Sequence, residues 1–140
     1  MKKVILIVIV SVICICGLLS GCQDTSSVKT QQQTNNVYLD SPIVEFANVS
    51  FEKNVNDSGG VESVTVGWLF HNKAGRMVSA NINAKFYDKN NLLLYSDNTH
   101  SISNMPPGFT EHLFSASNKV TYEGAGAAFV DHVVLTVTEI

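Results

Sequence analysis

The sequence predicts an all-β chain, a two-sheet antiparallel sandwich of about seven strands over residues 37–140. Three observations carry this. Apolar side chains alternate with polar ones at a period of two: Val64, Val66, Trp68 and Phe70 in one run, and Val78, Ala80, Ile82, Ala84 and Phe86 in the next. Successive side chains of a strand point to opposite faces, so this pattern marks half-buried strands. Turn-forming clusters separate the runs, and no window carries a 3.6-residue apolar stripe.

Taken in order, the strands are expected at Ile43–Phe51, around Val64–Phe70, around Val78–Phe86, and at Leu92–Ile102, Phe109–Ala116 and Ala128–Thr138. Asn56-Asp57-Ser58-Gly59-Gly60 breaks the first pair and Asn72-Lys73-Ala74-Gly75 the second. Asp88-Lys89-Asn90-Asn91 is a short turn, in which Asn tolerates left-handed backbone. Met105-Pro106-Pro107-Gly108 is a stiff corner, and Gly124-Ala125-Gly126 precedes the final strand. A domain of about 100 residues is the usual size of an immunoglobulin-like sandwich.

The N-terminus reads differently. Met1-Lys2-Lys3 is a short basic start, and Val4–Leu19 is apolar except for Ser11 and Gly17. That run is short for a membrane-spanning helix, which needs about 20 apolar residues, and suits the core of a signal peptide. Leu19-Ser20-Gly21-Cys22 then resembles the lipobox of bacterial lipoproteins. The resemblance implies that residues 1–21 are a leader cleaved between Gly21 and Cys22. It also implies that the Cys22 sulfur receives diacylglycerol and that its amine is open to acylation. The chemistry needs a thiol nucleophile and small neighbours that fit the peptidase. Two or more acyl chains hold a protein stably on a bilayer, each buried CH₂ adding about 0.8 kcal/mol. The expected location is therefore the extracytoplasmic side of the cell membrane, lipid-anchored.

Charge and cysteine usage agree with that placement. Losing Met1–Gly21 removes Lys2 and Lys3 from the nine basic residues and none of the twelve acids, leaving a net charge of about −5. Such a balance excludes a nucleic-acid surface, which needs a basic stripe, and excludes electrostatic adhesion to anionic lipid. Cys14 and Cys16 would leave with the leader and Cys22 would be blocked by lipid, so the exported domain carries no free thiol and no disulfide. Residues 22–36 are expected to be a flexible tether. From Gln23 to Asn36 the only apolar side chain is Val28, too little to offset the entropy of ordering. A coil of that length spans roughly 20 Å.

A second resemblance rests on Phe70-His71-Asn72 with Gly75, on Ala84-Lys85-Phe86-Tyr87-Asp88, and on Pro107-Gly108 leading to Phe114. These are similar to the FxLYD domain family, bacterial immunoglobulin-like modules common in exported proteins and lipoproteins. The likeness covers about 45 residues. Ala84 stands where the family's leading Phe would be, Phe86 where its Leu would be, and Asn90-Asn91 replaces a Gly-containing turn. The resemblance implies the fold; the family has no common activity, and fold does not imply function.

Few residues suggest chemistry. His71, His100, His112 and His132 lack the short spacings of paired metal ligands, and Glu111 and His112 would face opposite sides of a strand. The loop holding Asn54, Asn56, Asp57 and Glu62 gathers oxygens but lacks a calcium-loop rhythm, so it reads as a hairpin. Trp68 is expected in the core, while Tyr87, Tyr95, Phe109 and Tyr122 are candidates for a recognition patch. Asn48-Val49-Ser50 and Asn56-Asp57-Ser58 match the glycosylation sequon by chance. No nucleophile motif, phosphate loop or cofactor fingerprint is present.

The expected function is thus non-enzymatic, without metal or cofactor: a binding or interaction module in the cell envelope, meeting an envelope protein or wall polymer. The alternatives are a structural accessory subunit of an envelope or transport complex, and a metal-dependent sensor or enzyme.

Overall fold

The computed structural model describes residues 31–140; the expected leader, the lipidation expected at Cys22 and the expected tether up to residue 30 lie outside them. Eight strands follow in chain order: β1 (Gln31–Thr34), β2 (Val37–Asp40), β3 (Val44–Val55), β4 (Val61–Asn72), β5 (Val78–Asp88), β6 (Leu93–Met105), β7 (Lys119–Glu123) and β8 (Val130–Glu139). They form a five-stranded sheet in the order β1-β2-β8-β5-β6 and a three-stranded sheet in the order β3-β4-β7. The all-β sandwich read from the period-two pattern is therefore the architecture found. All pairings are antiparallel except β2 on β8, which is parallel.

Alternation dictates the packing. On β5, Val78, Ala80, Ile82, Ala84 and Phe86 are buried, and the intervening residues face outward. On β4, Val64, Val66, Trp68 and Phe70 turn the same way toward the other sheet. Trp68 is 1% exposed, as its place between Val66 and Phe70 led us to expect. These side chains join Val37, Leu39, Val133, Leu135 and Val137 in one core. Fully burying a side chain of Leu, Val or Phe size contributes about 1.5–3 kcal/mol, which lets a domain without disulfides hold together.

Three expectations need correction. Residues 31–36 are not tether: β1 and β2 form a hairpin across Asn35 and Asn36, both with positive φ (47° and 62°). Asn reaches the left-handed region at small cost, and such a two-residue turn matches the twist of its strands. The domain boundary at Val37 consequently falls inside this hairpin. The strand expected at Phe109–Ala116 is reduced to a single bridge, Thr110 to His71. There the Phe109 carbonyl accepts from the Asn72 N–H, and the Glu111 N–H donates to the Phe70 carbonyl. The chain then leaves β4, lays Phe114 over Gly67, makes a 3₁₀ turn at Ala116–Asn118, and returns to β4 as β7. Third, the expected strands did not include β2 or β7, which are four and five residues long, too short to show a convincing period in sequence.

The sandwich has two distinct ends. At one lie the Pro106-Pro107 corner and Asn72, whose carbonyl accepts from the Gly108 N–H at 3.1 Å. At the other lie the turn at Asn35-Asn36, the β5–β6 turn and a 3₁₀ turn at Ala127–Phe129. Gln31 pairs with Asp40, so the chain enters on the side toward the corner end and runs along β1 to the turn-rich end.

Candidate binding face

The outward side chains of the five-stranded sheet form the best-built surface. Register places Tyr38 of β2 beside Val134 of β8, Val134 beside Lys85 of β5, and His132 of β8 beside Tyr87 of β5. The rings of Tyr87 and His132 stack at 5.3 Å with an interplanar angle of 14°. Tyr38 meets the same imidazole edge-on at 5.5 Å and 80°. His132 therefore sits between two tyrosines, each half-buried. Its Nδ1 is 3.1 Å from Oδ2 of Asp131, which fixes the ring.

Two turns frame this trio. Asp88 Oδ1 accepts from the N–H groups of Asn90 and Leu92, both at 2.8 Å, shaping the β5–β6 turn that presents Asn91 (φ 62°). The Leu92 N–H above all holds the Asp88 carboxyl below the usual range; desolvation opposes it, and the Asn90 N–H and side chain and the Lys89 charge add smaller downward pulls. On the other side Asn36 donates from Nδ2 to the Asp131 carbonyl at 3.0 Å. Tyr38, Tyr87, Asn91, His132 and Val134 line a shallow cleft between these turns.

Below the aromatic trio the face becomes polar, with Asp40 of β2 in register with Thr136 of β8. Asn83 lies in register with Thr136, and Asn81 with Thr138. Ser96 of β6 donates to Asn83 Oδ1 at 3.1 Å. A second depression lies where β2 ends, lined by Asp40, Pro42, Ile43 and the last residues of β8 from Thr136 to Glu139. The two depressions follow β8 from His132 to Glu139, of which β2 pairs with Val133 to Thr136. At roughly 3.3 Å per residue this track is about 23 Å long.

The four aromatic candidates are dispersed. Only Tyr87 belongs to the binding face. Tyr95 and Tyr122 stack on each other at 4.8 Å and 5° and both touch Phe86, closing the side of the sandwich between β6 and β7. Burial and the neighbouring Asp97 push the Tyr95 hydroxyl above its ordinary pKa. Phe109 is exposed at the opposite, corner end. Tyr38 was missed because β2 is only four residues long and the first strand was expected at Ile43–Phe51.

The histidines are equally scattered. His71 shares a 2.7 Å hydrogen bond with Thr110 Oγ1, and His100 packs edge-on against Trp68 at 5.3 Å while its Nδ1 lies 3.0 Å from the Ser117 carbonyl. His112 is exposed beside Phe109, and only His132 is on the binding face. Among the described residues no three His, Cys, Asp or Glu side chains gather to hold a metal ion. The oxygen-rich loop is a hairpin turn: Asn56 Oδ1 accepts from the N–H groups of Ser58 and Gly60, and Asn54 Nδ2 donates to Ser63 and Thr65.

No helix among the described residues is long and apolar enough to cross a membrane. The class this geometry defines is a two-sheet β-sandwich with an aromatic-and-amide sheet face. Comparison with protein-family models, with curated proteins and with solved structures finds no match to this chain.

Proposed function

We propose that the chain is a lipid-anchored binding module of the cell envelope, held through diacylglycerol on Cys22, and that the outer face of the five-stranded sheet is its contact surface. It acts without catalysis, metal or cofactor. One observation carries the choice of face: Tyr38, His132 and Tyr87 form a fixed ring cluster on the solvent side of a sheet. Aromatic rings give large contact area with few rotatable bonds, which is why they dominate binding hot spots. The face also suits an anchored domain. Its rings lie toward the turn-rich end, away from the corner side on which Gln31 sits, so a tether from Cys22 would leave them open to the envelope.

Photo-crosslinking in cells tests the reading. A benzophenone side chain in place of Tyr87 should trap a reproducible adduct in the membrane fraction. The same group in place of Thr121, outward on β7 of the other sheet, should not. Equal yields from both positions would remove the sheet face from consideration.

A further inference from the structure

We infer that the corner end is a bilayer-docking tip, with Met77, Pro106, Pro107 and Phe109 entering the lipid surface that holds Cys22. The inference rests on the lipid anchor of the proposed function and adds which end of the domain meets the membrane.

Exposed carbon is gathered there by one residue. Asn72 donates from Nδ2 to the carbonyls of Arg76 and Pro106. Its backbone N–H donates to the Phe109 carbonyl, and its own carbonyl accepts from the Gly108 N–H. Met77, next in the chain to Arg76, is 58% exposed and Phe109 is 46% exposed. Pro106 and Pro107 are exposed beside them.

The loop that carries the ring is suited to leaving water. A backbone N–H without a partner is costly in lipid. Pro106 and Pro107 have no N–H. The Gly108 N–H donates to the Asn72 carbonyl at 3.1 Å and the Phe109 N–H to the Pro106 carbonyl at 3.2 Å. No donor from Pro106 to Phe109 would therefore lose water without already holding a partner. Lys73 and Arg76, exposed on the same turn as Met77, are cations at the rim. Such side chains lay their stems on apolar surface and keep their heads among the headgroups. Of the carboxylates nearest the tip, Glu139 is paired with Arg76, Glu111 accepts from the Phe70 N–H, Asp40 is likewise not free, and Glu45 is outward on β3.

Exposed carbon alone would not choose this end, because Val55, Leu92, Leu93 and Phe129 are exposed at the other. There carboxylates accompany it. Asp57 is two residues from Val55, Asp88 accepts from the Leu92 N–H, and Asp131 is two residues from Phe129. Ionised carboxylates resist entry into lipid. The path of the chain selects the same end. Gln31 pairs with Asp40, in register with Thr136, three residues from Glu139 at the corner end of β8 and six from Val130 at the other. From there β1 runs toward the turn-rich end, so the chain arrives from the corner side. Eight residues, Gln23–Thr30, separate Cys22 from Gln31, a reach of at most about 32 Å. An anchor that close holds the tip at high effective concentration over the bilayer, so a few apolar side chains suffice to dock it.

The test uses the full chain expressed as the lipoprotein, with acylation of Cys22 read by mass spectrometry. It is reconstituted into phosphatidylcholine vesicles with and without phosphatidylglycerol. With Cys14 and Cys16 lost and Cys22 acylated, an introduced cysteine is the one free thiol. Met77→Cys and, at the opposite end, Phe129→Cys carry the same nitrobenzoxadiazole dye, which lipids with a nitroxide near the headgroup quench on contact. Expected is strong quenching at position 77 in both kinds of vesicle and little at position 129. Phe109→Asp in the Met77→Cys chain should lower the docking equilibrium at least about tenfold, whereas Phe109→Leu, which keeps an apolar side chain, should hold it within about twofold. Unchanged Trp68 emission in both variants shows that the loss is not unfolding.

Equal quenching at the two positions overturns the inference, as does none at position 77. So does quenching that needs phosphatidylglycerol and vanishes with salt, which marks capture by headgroup charge. An acylated chain with a silent tip leaves the anchor standing and removes only the docking; an unacylated Cys22 removes both.

Discussion

Asn72 → Asp should unfold this domain far more readily than its near-identical volume suggests. Asn72 is 1% exposed at the corner end. Its Nδ2 donates toward the carbonyls of Arg76, Met105 and Pro106 at 2.8, 2.9 and 2.9 Å, and its Oδ1 accepts from the Ala74 N–H at 2.9 Å. An amide has two hydrogens, so three carbonyls share two N–H groups. One side chain thereby ties the β4–β5 turn to the end of β6. In Asn72→Ala, roughly three net hydrogen bonds of about 1 kcal/mol each are lost and the buried Met105 carbonyl is left unmet, for a total of about 4 kcal/mol. At an unfolding entropy near 2.1 cal/mol/K per residue, that lowers Tm by about 15–20 °C.

Asn72→Asp should cost at least as much at pH 7, because a carboxylate would face three carbonyl oxygens with nothing to donate. Its deficit should shrink on acidification. The introduced carboxyl would have a folded-state pKa above its unfolded value, so the folded form binds the proton more tightly and gains as pH falls. Urea unfolding read by Trp68 emission measures this directly, since Trp68 is the chain's one tryptophan and is buried. Stability of Asn72→Asp within about 1 kcal/mol of the parent at pH 7 would refute the argument, because a purely volumetric role predicts that result.

Other perturbations address separate parts of the molecule. In Gly67→Ala the new Cβ would stand 2.8 Å from Ser50 Oγ and 3.1 Å from Phe114 Cδ1. The Phe114 loop should therefore lift from β4, with a loss of about 1–3 kcal/mol and new proteolytic cleavage near Leu113, which is already 82% exposed. Acid should destabilise the fold: desolvation raises the Asp97 carboxyl, but the Thr99 backbone N–H and hydroxyl, the His100 charge and the Tyr95 hydroxyl together pull it below its ordinary value. Asp88 is lowered as well. For a depressed carboxyl the unfolded chain takes up protons first, so the stabilisation is present above the unfolded pKa near 3.8 and is lost as pH falls through the folded value. Urea midpoints should drop below about pH 4, and Asp97→Asn should flatten that slope. Cys22→Ser should abolish incorporation of labelled fatty acid and leave the leader, residues 1–21, uncleaved, seen as a heavier band; unchanged labelling would contradict a lipid anchor.

Long strands were legible because burial on one face imposes a period of two. Val64–Phe70 and Val78–Phe86 fall within β4 and β5 for this reason. The turn at Asp88–Asn91 was legible too, since its conformation depends on an Asx side chain and a left-handed Asn acting over four residues. The spacing of Asn72, Gly75 and Pro107-Gly108 acquires a physical reading only in three dimensions. Asn72 holds the Met105 and Pro106 carbonyls and accepts from Gly108, while Gly75 turns the chain at φ 69°.

The candidate site was hidden for a different reason. Tyr38, Tyr87 and His132 come from β2, β5 and β8, and neither half of the cluster is local: Tyr38 and His132 are brought together by a parallel pairing across the whole domain, Tyr87 and His132 by an antiparallel one. The same logic sends Tyr95 and Tyr122 inward to stack on each other between the sheets. What the amino-acid order determined by itself was the local: strand period and turn chemistry. Which side chains share a face was decided by strand order and register. Those depend on the packing of distant segments against one another, and no short window of sequence encodes them.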